Sequence, residues 1–176
     1  SRADATLAVS AMVDRLAHRG PDGRGVYSSA QDEGRAPFAV LGHRRLAIID
    51  TSDAGLQPMG GPGRAPWIVY NGETYNFAAL RAELERGGAE FRSHSDTEAV
   101  LRGYDAWGLD VLARLRGMFA FALWDEARQR LLLARDRLGI KPLYVYRGEG
   151  FALFASEVRA LLAAERRGIL DAATRA

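Results

Sequence analysis

The 176-residue chain has no cysteine and a single lysine. Without a thiol it holds no disulfide, no thiolate metal site and no cysteine nucleophile of its own. Histidine is scarce as well, and His18, His43 and His94 are too scattered to suggest a zinc cluster. No apolar run approaches the length that spans a bilayer, which argues against a transmembrane helix. The first ten residues lack the basic, apolar and small-residue succession of a secretory signal. Of the 24 basic residues only Lys141 is lysine, and the arginines are interleaved with 22 acidic residues. The net charge of +2 therefore comes without the clustered, aromatic-studded patch that nucleic-acid binding needs. With 48% apolar and 26% charged residues, the chain can build a core, and its length suits one domain. There is no internal repeat and no low-complexity tract.

The apolar spacing of Leu7, Val9, Met12, Val13 and Leu16 predicts a helix that ends near Gly20-Pro21. A short strand follows at 24–28, then a polar turn at 31–37. The apolar stretch 38–49 is broken by Gly42-His43-Arg44-Arg45, which suggests two strand pieces with a turn or bulge between them. Residues 53–66, rich in proline and glycine, read as a surface loop. Residues 67–70 form a strand that Asn71-Gly72 should stop. Asn76 is placed to cap a helix closed by Gly87-Gly88. Ser95-Asp96-Thr97-Glu98 has the capping-box pattern at the head of a helix running to Trp107-Gly108. A short helix over 109–115 precedes two hairpins, 118–124 with 130–134 and 143–146 with 151–155. Ser156 can cap a last helix, and the chain beyond residue 163 reads as a linker. Few β-helix-β alternations occur, so the fold class is α+β: antiparallel sheets with helices on their outer faces.

Several constellations could carry chemistry. In His18-Arg19-Gly20-Pro21-Asp22-Gly23, either a helix simply ends in a tight turn, or Arg19 and Asp22 pair beside a site and fix a loop. In Gly42-His43-Arg44-Arg45-Leu46-Ala47-Ile48-Ile49-Asp50, adjacent arginines on a strand cannot be equally exposed, so one should point inward. A buried arginine is costly unless it meets an anion, and its planar fork grips a carboxylate through two parallel bonds. Asn71-Gly72 is either a turn or an oxyanion hole made of a side-chain amide and a backbone N–H. Glu73 and Asp96 could accept bonds from a substrate ammonium, although Asp96 is also simply a favourable first residue of a helix. The run Asp136 to Tyr144 reads as an ordinary charged loop.

Taken in order, the segments 18–23, 43–50, 70–76, 95–101, 117–125, 134–144 and 154–162 resemble the glutaminase domain of class II glutamine amidotransferases, above all that of glutamine-dependent asparagine synthetases. The resemblance implies an N-terminal-nucleophile hydrolase fold: a four-layer αββα sandwich of two antiparallel sheets, here lacking its first strand. It also implies a reaction, hydrolysis of the glutamine side-chain amide to glutamate and ammonia. In the family an N-terminal cysteine attacks the amide carbon, with its own α-amino group as base, and water resolves the thioester. Carried over by position, the Asn71 side chain and the Gly72 N–H form the oxyanion hole and Arg45 clamps the substrate α-carboxylate. Glu73 and Asp96 hold its α-ammonium, and backbone groups around Leu46, Ile48 and Ile49 line the same pocket.

The chain departs from the family in having no cysteine. Ser1 is followed by Arg2-Ala3-Asp4 rather than an apolar strand, and is rejected as nucleophile. The expectation is a glutaminase domain over 1–163, without its nucleophile strand and inactive alone, and a linker over 164–176 towards a synthetase domain. The domain itself would need no metal or cofactor. ATP and Mg²⁺ are implied for the synthetase domain, where aspartate would be activated. The implied setting is a cytoplasmic enzyme that takes L-glutamine, with no nucleic-acid or membrane partner, and a homodimer is left open. The alternative is a non-catalytic scaffold of the kind found in β-lactam synthetases. A third option is a stand-alone glutamine-binding domain.

Overall fold

The computed structural model describes residues 1–29, 37–61 and 65–165. In chain order the elements are α1 (Arg2–Arg15), β1 (Gly23–Ser28), β2 (Val40–Arg45), β3 (Met59–Gly60), β4 (Trp67–Thr74), α2 (Phe77–Arg86), α3 (Asp96–Trp107), α4 (Val111–Arg114), β5 (Gly117–Asp125), β6 (Arg130–Arg135), β7 (Tyr144–Gly148), β8 (Phe151–Ala155) and α5 (Val158–Glu165). Strands β3-β4-β5-β6 form an antiparallel sheet in that order, while β1-β2 and β7-β8 are separate antiparallel hairpins. The hairpins lie in one layer between the sheet and the pair of helices α1 and α5. Helices α2, α3 and α4 cover the other face of the sheet. This is the expected αββα order of layers.

Strand alternation explains the layering. On β4 and β5, Ile68, Tyr70, Phe119, Phe121 and Leu123 point to α2 and α3 and form the largest core cluster, with Leu80, Val100, Leu101 and Tyr104. The intervening Val69, Ala122 and Trp124 point the other way, against Leu41 of β2 and Phe154 of β8. The outer faces of those hairpins meet the helices: Leu153 and Ala155 pack with Ala8, Met12 and Leu161. Gly42 has no room for a side chain, since a Cβ there would fall 2.4 Å from Val13 and 2.7 Å from Val9 of α1.

Local chemistry sets the helix ends. Helix α1 begins earlier than its apolar spacing predicts because Ser1 and Asp4 form a reciprocal capping box. At α3 only half of the expected box exists: Ser95 Oγ accepts from Glu98 N at 3.2 Å. The Glu98 carboxylate turns instead to the N–H groups of Arg92 and Ser93 and to the Ser93 hydroxyl. Asn76 sits at the cap position of α2 without capping it; its amide donates to Arg114 O and accepts from Arg116 N, tying α2 to the approach to β5.

Two of the expected strand ends also need correction. Asn71-Gly72 does not stop β4, which continues in register to Thr74, pairing Asn71 with Ala120, Gly72 with Phe119 and Thr74 with Gly117. Gly72 serves close strand approach, for a Cβ there would lie 2.1 Å from Met118 O. Nor is there a turn within residues 42–45: β2 runs unbroken from Val40 to Arg45 along β1, and the chain leaves the sheet only at Leu46. Among its described residues, the region read as a loop over 53–66 contains a 3-10 turn at Asp53–Gly55 and the short β3. Most of the expected turn at 31–37 and of the linker after 163 lies outside the described residues, although 164 and 165 still belong to α5.

Candidate active site

A cavity of about 260 Å³ runs between the sheet and the hairpin layer, with β2 on one side and β8 on the other and α1 at its back. Its floor is opened by two alanines, Ala120 and Ala122, on the face of β5 where larger residues would fill the gap. Every residue expected to bind substrate lines it: Arg45, Leu46, Ile48, Ile49, Asn71, Gly72, Glu73 and Asp96. Leu46, Ile48 and Ile49 are partly exposed at its rim.

Arg45 is the inward-pointing member of its pair, at 8% exposure. Its guanidinium meets backbone carbonyls of the loop that follows β2: Nη1 donates to Ser52 O at 2.7 Å and Nη2 to Asp50 O. Two carbonyls orient the planar fork, and the Asp50 carboxylate lies near enough to feel its positive charge. The loop is itself tied down. Asp50 accepts from Ser52 N and Oγ at 2.9 and 2.6 Å and from His94 N at 2.8 Å. The Ser52 hydroxyl first, and then the His94 N–H, hold its carboxyl at about 2. Gly55 lies against the guanidinium, where a Cβ would come within 2.3 Å of Nη2. Arg44 points to the helix side, as Gly42 does, and its Nε is buried without a partner among the described residues.

Strand β4 supplies the next groups. Asn71 and Glu73 share the face of Val69, towards the cavity, while Tyr70 and Thr74 face α3 and join their hydroxyls at 2.7 Å. The Asn71 Nδ2 is buried with no hydrogen-bond partner among the described residues. The backbone repeats the pattern in the plane of the sheet. Tyr70 N–H donates to Gln57 Oε1 at 2.6 Å and Thr74 N–H to Asp96 Oδ2 at 2.8 Å, so both point away from β5. In an antiparallel ladder alternate residues share a direction, which puts the Gly72 N–H on that same edge between them. An amide donor and a backbone N–H thus stand side by side on one stretch of strand.

Asp96, the first residue of α3, is 5% exposed. Burial pushes its carboxyl above the usual range, against the opposing pull of the Thr74 N–H. His43 also lines the cavity; its Nε2 lies 3.1 Å from Tyr70 O. Burial lowers its pKa to about 4, opposed by that carbonyl and helped by the nearby Arg45 charge.

The Arg19–Asp22 pair does not form. Arg19 Nη1 and His18 Nε2 each contact Glu157 Oε1 at 3.0 Å, joining the end of α1 to the start of α5. Arg159 first, then Arg19 and His18, hold the Glu157 carboxyl at about 2 against the opposing effect of burial. Asp22 still fixes a loop, since its Oδ2 accepts from Ala47 N at 2.9 Å and its N–H donates to Arg45 O at 3.0 Å. Sequence reasoning gave Asp136 no role, yet its carboxylate collects the N–H groups of Phe119, Leu138, Ile140 and Lys141. Burial alone would raise this carboxyl, but those donors outweigh it and hold it below the usual range. The result is a fixed loop that brings Lys141, Pro142 and Leu143 to the cavity wall. Ser1 is far from this chemistry in role: it caps α1 and is not among the lining residues. Among the described residues no three His, Asp or Glu side chains converge to hold a metal ion, and no helix is long and apolar enough to cross a membrane.

Comparison with known proteins shows the family and the fold. Asparagine synthetase [glutamine-hydrolyzing] 3 of Bacillus subtilis is 43% identical over 154 residues, covering 86% of this chain and 24% of its own length. Asparagine synthetase B [glutamine-hydrolyzing] of Escherichia coli is 42% identical over 148 residues, covering 84% of this chain and 25% of its own. The chain therefore spans about a quarter of the length of these relatives. Among solved structures, the glutamine phosphoribosylpyrophosphate amidotransferase of B. subtilis shares the fold with a TM-score of 0.73 at 21% identity, over 89% of this chain and 40% of that one. The family described as glutamine amidotransferase domain matches residues 1–173. With a match over nearly its whole length, the chain belongs to the glutamine amidotransferase domain family.

Proposed function

We propose that this chain is the glutamine-binding part of a glutaminase, which releases ammonia from the side-chain amide of L-glutamine. The observation that carries the reading is the gathering of Arg45, Asn71, Gly72, Glu73 and Asp96 around one cavity. Glutamine is a zwitterion at one end and a neutral amide at the other, and this set matches it group for group. Arg45 takes the α-carboxylate, Glu73 and Asp96 take the α-ammonium, and Asn71 Nδ2 with Gly72 N–H take the amide oxygen as it becomes an oxyanion. The nucleophile would be a cysteine thiolate supplied from outside this sequence. It adds to the amide carbon, the C–N bond breaks with proton transfer to nitrogen, and ammonia leaves a thioester that water converts to glutamate. β2 and β8 each pair with one neighbour among the described strands, on either side of the cavity. An extended segment carrying that cysteine would fit between them.

In this reading the ammonia passes to a synthetase part of the same protein, which uses ATP and Mg²⁺ to activate aspartate in the cytoplasm. One rival is a non-catalytic scaffold, in which no cysteine would precede this chain. Calorimetric titration of the chain with L-glutamine separates them, with saturable binding expected and at least about tenfold weakening in Arg45→Lys, where the fork is lost. Absence of glutamine binding would hand the case to the scaffold. For the natural protein, N-terminal sequencing supplies the second test: a mature chain opening with cysteine supports hydrolysis, and any other residue removes it.

A further inference from the structure

His43 is a half-buried, cavity-lining imidazole that the proposed chemistry leaves unused, and its hydrogen bonding is asymmetric. Nε2 lies 3.1 Å from Tyr70 O, while Nδ1 is buried with no partner among the described residues. A carbonyl can only accept, so Nε2 carries the proton and Nδ1 presents a lone pair.

The target of that bond matters more than the histidine. Tyr70 lies on the edge of β4 that faces away from β5, and β3 reaches only as far as Trp67 and Ile68. Beyond that point no described strand covers the edge, and side chains take its place. Gln57 Oε1 accepts the Tyr70 N–H at 2.6 Å, and its Nε2 reaches Thr97 Oγ1 of α3 at 3.2 Å. His43 donates to the Tyr70 carbonyl. Asp96 accepts the Thr74 N–H at 2.8 Å. The backbone is thus held on both sides of Gly72, and the peptide that leads directly into Asn71 is the one His43 grips.

We propose that His43 is a positioning residue: through the Tyr70 carbonyl it aims the Asn71 amide and the Gly72 N–H at the substrate's side-chain amide. This rests on the glutaminase reading above and extends it to a residue that touches no substrate. A strand edge held only by its own ladder could twist, and a displacement of an ångström at such donors is costly because hydrogen bonds weaken steeply with misalignment. The effect belongs to the amide end of the ligand alone. The α-carboxylate and α-ammonium are gripped by Arg45, Glu73 and Asp96, none of which is hydrogen-bonded to His43.

The experiment compares two ligands of the same chain, L-glutamine and L-norvaline, which has the same α-groups and no side-chain amide. The wild-type chain should prefer glutamine by about tenfold or more. His43→Asn, whose amide is too short to reach Tyr70 O, should lose most of that preference while norvaline affinity changes less than about twofold. His43→Gln, which can return a donor to the Nε2 position, should restore it. An unchanged preference in His43→Asn, or equal weakening for both ligands, would overturn the positioning role and leave the glutaminase reading standing. A wild-type chain without preference for glutamine would overturn the glutaminase reading itself. If His43→Asn does not fold, nitrogen-15 shifts of the wild-type imidazole decide. A proton on Nε2, together with movement of the Gly72 amide signal by glutamine and not by norvaline, supports the proposal. A proton on Nδ1 removes the bond to Tyr70 O and sinks it.

Discussion

The four-stranded sheet and the hairpin layer facing it are made of equally regular alternating strands, but they end differently. In the sheet, β4 and β5 pair along eight residues and bury Ile68, Leu123 and their neighbours almost completely under α2 and α3. In the facing layer, β2 and β8 each keep one edge free of described strands, and the gap between them is the cavity. The sealed half holds the largest core cluster, and the open half leaves room for the cavity. The site sits where the two meet, with its polar groups on the sealed strand β4 and its charged clamp on the open strand β2.

If that division is right, substitutions of like chemistry should cost different amounts. Leu123→Ala removes a fully buried side chain from the sealed half and should lower the unfolding free energy by about 3–4 kcal/mol. Leu153→Ala, on β8 beside the existing gap, should lower it by about 1–2 kcal/mol. Equal losses in urea unfolding would erase the distinction.

The next effect is one of pH. The imidazole of His43 is pushed down to about 4 by burial, from an ordinary 6.5. An unfolded chain takes up that proton first as pH falls, so stability should decline from pH 6.5 to pH 4, by at most roughly 3 kcal/mol. Below pH 4 both states are protonated at this group and its contribution levels off. The carboxyls of Asp50 and Glu157, held at about 2, add a separate loss as pH falls below their ordinary values towards 2. Urea midpoints for wild type and His43→Gln should converge as pH is lowered from 7 to 4.5; parallel curves would place the titration elsewhere. The smallest effect belongs to the exposed Arg24–Asp14 pair that links β1 to α1, where Asp14→Asn should shift the unfolding free energy by less than about 0.5 kcal/mol.

Much of the fold was readable in advance because its signals are local. The polar turn before Arg130 and the Gly-Glu-Gly turn before Phe151 announce both later hairpins, and Ser95 announces α3. What escaped depends on contacts distant in sequence. Asn71-Gly72 has the composition of a turn, and only the close approach of Met118 and Phe119 shows why a glycine is needed inside a strand. Gly42 likewise looks like a break until Val9 and Val13 are seen against it. Physical reading of the sequence found that one of Arg44 and Arg45 must turn inward, but which one, and its link to Asn71, Glu73 and Asp96, came from resemblance. The part played by Asp136 was not legible at all, because a carboxylate that gathers four backbone donors has no pattern in the sequence.

The guarded edge of β4 has a consequence for solvent exchange. Along one strand edge, the amide of Tyr70 is occupied by Gln57 and that of Thr74 by Asp96, while the amide of Gly72 between them is the one the proposed glutamine would meet. Exchange with deuterated water should therefore be fast at one residue and slow at the two that flank it, two positions away on either side. Glutamine bound in the cavity should erase the contrast, turning three adjacent sites on that edge into a single protected run.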